Sequence, residues 1–171
     1  MNHDVFISYS RKDEYVVNEI CEFFTKNEIT YWIDKRKIYA GSEFMGDIVN
    51  AIRQSKVTLF ISSLNSNKSI YTAKEIAIAF NEGKYIIPYK IDNSSFNDKL
   101  EFLLCDINWV EAIPFDTNKV QVLVQEIKSL LSANKEKEIY SIPKREFVDI
   151  SDWDEPQSSL LKFLKKIFSD H

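Results

Sequence analysis

The chain has 171 residues, 44% hydrophobic and 28% charged, ordinary proportions for a soluble globular domain with a core of its own. A formal net charge of -4 argues against nucleic acid as the main partner, because phosphate binding needs a basic surplus. With 3 glycines the chain carries neither a GxGxxG motif nor a Walker loop, which excludes both of those modes of nucleotide binding.

The opening stretch MNHDVFISYS has no basic region followed by an apolar core, so no signal peptide is expected. No apolar run reaches the roughly 18 residues of a membrane span. Cys21 and Cys105 both read as buried thiols of a reducing compartment. Together these point to a cytoplasmic protein with no membrane partner.

Asp4 to Ser8 is a short apolar run, expected as a buried strand. A helix is expected from about Asp13 to Lys26, with Val16, Val17, Ile20, Phe23 and Phe24 as its stripe. Ser10 and Asp13 have the spacing of a capping box at its start. Ile29 to Asp34 is a second strand, and a charged loop, DKRKIYAG, follows it. Ser42 is placed to cap a second helix with the stripe Met45, Ile48, Val49 and Ile52. Lys56 to Ser62 is a third strand, and SLNSNKS reads as a polar loop. Ser69 is placed to cap the helix from Tyr71 to Glu82, which Gly83 ends as its C′ residue. Tyr85 to Ile91 is a fourth strand. Pro88 within it cannot donate to a ladder and is expected at a bulge or on an open side. A short apolar turn from Leu100 to Cys105 precedes a fifth strand, Ile107 to Ile113. The next helix uses Val120, Leu123, Val124, Ile127, Leu130 and Leu131. Trp32 and Trp109 read as core residues.

Alternating strands and helices with near-continuous apolar strands mean a parallel sheet covered on both faces. Ligands bind such sheets outside the carboxyl ends of the strands. Here that end is formed by the loops Ser8 to Lys12, Asp34 to Gly41 and Ser62 to Ser69. Residues 133–138, ANKEKE, form a polar break, so residues 1–132 are expected as one domain and 133–171 as a linker and extension. The extension ends in an amphipathic helix carrying Leu160, Leu161, Leu164, Ile167 and Phe168 on one side. Packing on its own domain, a contact with a second copy and a membrane contact are its three readings. Asp152, Asp154, Glu155 and Asp170 balance its lysines and weigh against the membrane.

The helix SIYTAKEIAIAF has two faces. Ala73, Ile76, Ala77 and Phe80 follow the spacing of a buried stripe, and Tyr71, Thr72 and Glu75 fall on the other side. Glu75 is either a surface glutamate in an i, i+4 contact or a carboxylate aimed at a substrate. Arg11 is either a solvated loop residue or a phosphate partner. Asp13 reads as a helix-start residue. His3 and His171 are terminal and belong to no cluster, so no metal site is expected.

Three stretches together resemble the Toll/interleukin-1 receptor (TIR) domain family, in order and over about Asp4 to Leu131. DVFISYSRKD is similar to that family's first box. YWIDKRKIYAGSEF is similar to its charged second box, and SIYTAKEI to its third helix. The resemblance implies a flavodoxin-like five-stranded parallel sheet of order 2-1-3-4-5 flanked by helices. It also implies an enzyme of the bacterial NAD-cleaving type, with NAD+ as substrate and no metal. Glu75 matches the catalytic glutamate of such members, and Tyr71 stands where they usually carry tryptophan. Ser69 matches a serine often found at the start of that helix. Tyr9, Ser10 and Arg11 follow the first strand, where nucleotide groups would lie. Asp34 and Ile38 belong to a loop that the family uses in self-association and in shaping the NAD site, and Thr72 lies beside Tyr71.

One carboxylate near the ribose hydroxyls stabilises the oxocarbenium-like transition state of nicotinamide loss. Water then yields ADP-ribose, and an internal nucleophile yields a cyclic isomer. The resemblance further implies a nucleotide signal in bacterial antiphage immunity, self-association as activation, and a separate effector protein that binds the product. The alternative is a non-catalytic adaptor acting through TIR–TIR assembly. Glu75 favours the enzyme, and Tyr71 in place of tryptophan keeps the adaptor open. A response-regulator-like receiver is discounted, because Ser62 and Ser63 stand where its phospho-acceptor aspartate would be.

Overall fold

Five strands and six helices alternate along residues 3–33 and 42–137, the part of the chain that the computed structural model describes. They are β1 (His3–Ser8), α1 (Glu14–Lys26), β2 (Tyr31–Trp32), α2 (Ser42–Gln54), β3 (Ser55–Ser62) and α3 (Leu64–Asn67). Then come α4 (Ile70–Asn81), β4 (Tyr85–Lys90), α5 (Asp98–Leu104), β5 (Val110–Glu111) and α6 (Thr117–Lys137). The strands form one parallel sheet in the order β2-β1-β3-β4-β5, as the apolar runs and the resemblance led one to expect.

Alternation along the strands divides the interior into two layers. Val5, Ile7, Leu59, Ile61 and Tyr89 pack with α1 and α6 on one face. Phe6 and Phe60 pack with α2, α4 and α5 on the other. Successive side chains of a strand point to opposite faces, so a fully covered sheet needs apolar residues at both parities. β3, the central strand, is buried at every position except Lys56.

Several local expectations hold. Gly83 has φ 65°. Its N–H donates to Phe80 O at 3.0 Å, and Lys84 N–H donates to Ala79 O at 2.9 Å, a Schellman ending for α4. Pro88 pairs in register with Phe60 of β3, while β5 begins only opposite Tyr89, so no strand flanks Pro88 on that other side.

Others are corrected. The capping box at Ser10 does not form. Arg11–Asp13 is a 3₁₀ turn, and the Ser10 side chain makes no cap hydrogen bond. The stretch expected as a polar loop contains α3, capped by Ser63. The apolar turn before the fifth strand is α5, capped by the side chain of Asn97. α2 begins at Ser42 itself. Met45 is exposed, and the buried residues of that helix include Ile48, Ala51 and Ile52. The edge strands β2 and β5 are two residues long, because an edge strand has a ladder on one side only. Trp109, expected in the core, is 52% exposed, and Lys90 Nζ sits 5.2 Å from its ring centroid. Trp32 is half-buried and stacks on Phe6 at 5.2 Å. Cys105 is exposed, Cys21 is buried, and neither forms a disulfide. α6 runs to Lys137, through most of the expected polar break. The terminal amphipathic segment lies outside the described residues.

At the amino end of the sheet Asp4 accepts Thr30 N–H at 3.0 Å, Thr30 Oγ1 at 2.7 Å and Lys56 Nζ at 3.4 Å. Burial pushes its carboxyl up, but the bonds from Thr30 and Lys56 outweigh this and hold it below the ordinary 3.8. A depressed folded-state value means stabilisation that is full above the unfolded value and lost as pH falls through the folded one. Asp4→Asn is therefore expected to lower the urea midpoint at neutral pH. The gap to wild type closes as the pH drops below about 4. A gap that stays constant with pH would contradict this assignment.

Candidate active site

β1 and β3 are inner strands, and both end in serine at the carboxyl edge of the sheet. Ser8 shares the parity of Phe6, so it faces the α2, α4 and α5 side. It is 0% exposed. Glu75 stands in the second turn of α4, half-buried, and its Oε2 accepts a hydrogen bond from Ser8 Oγ at 2.6 Å. A hydroxyl bond to a carboxylate contributes about 1.5–3 kcal/mol and offsets the cost of drawing the acid inward.

Ser69 caps α4, its Oγ accepting Thr72 N–H at 3.3 Å and its carbonyl accepting Ala73 N–H at 3.1 Å. Tyr71 is 43% exposed on the rim. Thr72 corrects the two-face reading: it is 2% exposed and points inward. α4 contacts α2, α3, α5 and the sheet, so it is covered around more of its circumference than one stripe. Tyr9, Ser10 and Arg11 follow Ser8 directly and are all half-buried at this same edge. Tyr9 packs against the α1 and α6 core layer. The structure thus brings Glu75, Tyr9, Ser10, Arg11, Ser69 and Tyr71 to the carboxyl end of the sheet. Asp34 and Ile38 lie outside the described residues. Among the described residues no group of three or more His, Cys, Asp or Glu is arranged to hold a metal.

A polar network that sequence reading missed supports this edge. Asp13, read from sequence as a helix-start residue, is 4% exposed. It accepts Ser63 Oγ at 2.5 Å and Asn65 Nδ2 at 2.9 Å. Ser63 Oγ in turn accepts the N–H groups of Asn65 and Ser66, each at 3.1 Å. Asn67 Nδ2 donates to Ser94 Oγ at 2.9 Å and to Ser95 O at 3.0 Å, and Asn97 Nδ2 donates to Asn67 O. Asp92 accepts Leu64 N–H at 2.8 Å and the Ser94 hydroxyl at 2.5 Å. Burial raises the Asp92 carboxyl, and these bonds more than reverse it, leaving it below its usual range. The segment from Ser63 to Ser69 is therefore tied to the start of α1 on one side and to the loop after β4 on the other. That segment delivers the first turn of α4. The only sequence signal was an unusual density of Ser and Asn after an apolar strand.

Among solved structures the chain is similar to the TIR domain of the Toll-related receptor TRR-2 from Hydra magnipapillata. The identity is 19%, covering 82% of this chain and 100% of that one, with a TM-score of 0.56. It is similar to the TIR domains of the activated Roq1 resistosome directly recognizing the pathogen effector XopQ, at 16% identity. That match covers 76% of this chain and 99% of that one, with a TM-score of 0.54. It is also similar to the CMP N-glycosidase BcmB of Clostridium botulinum, at 14% identity over 73% and 98% of the two chains, with a TM-score of 0.51. At these identities the likeness shows the fold. A search of the curated proteins finds no match. Residues 5–124 match the family model described as TIR domain, and the chain belongs to that family.

Proposed function

We propose that this TIR domain is an NAD+ glycohydrolase or cyclase that breaks the bond between nicotinamide and ribose. The observation that carries the reading is Glu75: a half-buried carboxylate, tied at one oxygen to the end of an inner strand, where parallel sheets bind ligands. The C1′–N bond breaks with its electron pair leaving on nicotinamide, which departs neutral. Positive charge develops on the ribose ring, and the Glu75 carboxylate stabilises it while accepting hydrogen bonds from the ribose hydroxyls. Water that adds at C1′ and gives up a proton yields ADP-ribose; a hydroxyl or ring nitrogen of the same molecule yields a cyclic isomer. Tyr71 on the rim offers a ring to the nicotinamide side, and Arg11 offers charge to the pyrophosphate. The likeness to a protein named as an N-glycosidase supports a fold able to host cleavage of a C1′–N bond. In this reading the product is a nucleotide signal of bacterial antiphage immunity, made in the cytoplasm and bound by a separate effector.

A second reading, assembly without catalysis, is favoured by the exposed Leu64 and Tyr71 near the start of α4. One experiment weighs both: nicotinamide release from NAD+ by wild type and Glu75→Gln over a wide range of protein concentration. Release whose rate per subunit climbs with concentration is expected, and places activation at self-association. No release at any concentration, crowding included, would leave the adaptor.

A further inference from the structure

A glutamate side chain turns about three bonds, and burial of part of it does not choose among the resulting directions. One group that acts on the direction here is a hydroxyl on the sheet. Val5, Phe6 and Ile7 are buried apolar residues, and Ser8 is the polar exception in the same buried run. Its backbone is held in the ladder opposite Phe60 of β3, so the hydroxyl is presented from a rigid inner strand. The Ser8 Oγ to Glu75 Oε2 separation of 2.6 Å falls in the range of an O–H group donating to an ionised carboxylate. The two residues are 67 positions apart, so this bond ties α4 to β1 and not to its own helix.

We propose that Ser8 is a positioning residue: its hydroxyl fixes the plane and direction of the Glu75 carboxylate relative to the ribose. The inference rests on the glycosidic reading of Glu75. Ser8 is fully buried, so it acts on the site through its bond to Glu75. Loss of the hydroxyl removes the hold on Oε2 from the sheet, and misplacement of a catalytic group by about 1 Å costs up to roughly a hundredfold in rate. Glu75 acts most strongly in the transition state, so the loss falls mainly on kcat and ground-state binding of NAD+ changes little.

The test measures kcat and KM for NAD+ with wild type and Ser8→Ala, each corrected for folded fraction. The expected result is a kcat lowered roughly 10- to 100-fold with KM within about twofold. A purely structural role would reduce the folded fraction and leave kcat per folded site unchanged. A second measurement needs no turnover. Ser8→Ala should lower the urea midpoint in the wild-type background and leave it unchanged or raise it in the Glu75→Ala background, where the buried hydroxyl has lost its acceptor. An equal drop in both backgrounds, a fall carried by KM, or an unchanged kcat in an active wild type would overturn the positioning role alone. A wild type that cleaves no NAD+ would overturn it together with the reading it rests on.

Discussion

Glu75→Gln is expected to cut nicotinamide release by roughly a thousandfold while the protein stays folded. Glutamine matches the size of glutamate and keeps an oxygen that can accept from Ser8 Oγ, so the contact between α4 and β1 survives. What disappears is the negative charge. In the proposed chemistry that charge faces a ribose whose C1′ turns cationic, and it acts most strongly in the transition state. The loss should therefore fall on kcat, with the melting midpoint little changed. Turnover within tenfold of wild type in a folded variant would remove Glu75 from the chemistry. The glycosidic reading would then need another carboxylate at the same edge.

Asp13→Ala is expected to cause the largest loss of stability among changes at this edge, about 2–3 kcal/mol. Asp13 is almost wholly buried and receives the Ser63 hydroxyl and the Asn65 amide. Alanine leaves the buried Ser63 hydroxyl without this acceptor and removes the partner of the half-buried Asn65 amide, and an unmade bond at a buried group costs more than a made one contributes. For a chain of this length the melting midpoint should fall by roughly 5–10 °C. The effect should also be local. Segment 63–69 loses its tie to α1 but keeps those to Asp92 and the loop after β4, so amide exchange should quicken first between Ser63 and Ala73. Asp13→Asn keeps one acceptor but presents an amide N–H to Ser63, whose oxygen already accepts two backbone groups. It should lose an intermediate amount. A midpoint unmoved by Asp13→Ala would mean that the network contributes nothing to the stability of the edge.

Most of the fold was legible in the sequence, for local reasons. Apolar runs such as Val57 to Ile61 fill both faces of an inner strand, and the stripes of α1 and α6 repeat at helical spacing. Edge features were misread. Val110 and Glu111 pair on one side only, and nothing local tells a run flanked by tryptophan that its ladder stops there. Trp109 and Cys105 were assigned to the core by residue type, yet the chain reaches the sheet's rim at those positions and leaves them outside.

By itself the sequence determined the parallel strand–helix order, the stop of α4 at Gly83 and the place of Glu75 in the second turn after the cap at Ser69. Each follows from periodicity or backbone chemistry within a few residues. Only the tertiary structure decided that Thr72 turns inward, that Asp13 binds Ser63 and Asn65 across 50 and 52 positions, and that Ser8 meets Glu75 across 67. A serine or an aspartate has the same local preferences whether its partner is solvent, its own helix or a distant segment. Which of these it meets is settled when the sheet packs and closes the carboxyl edge to water.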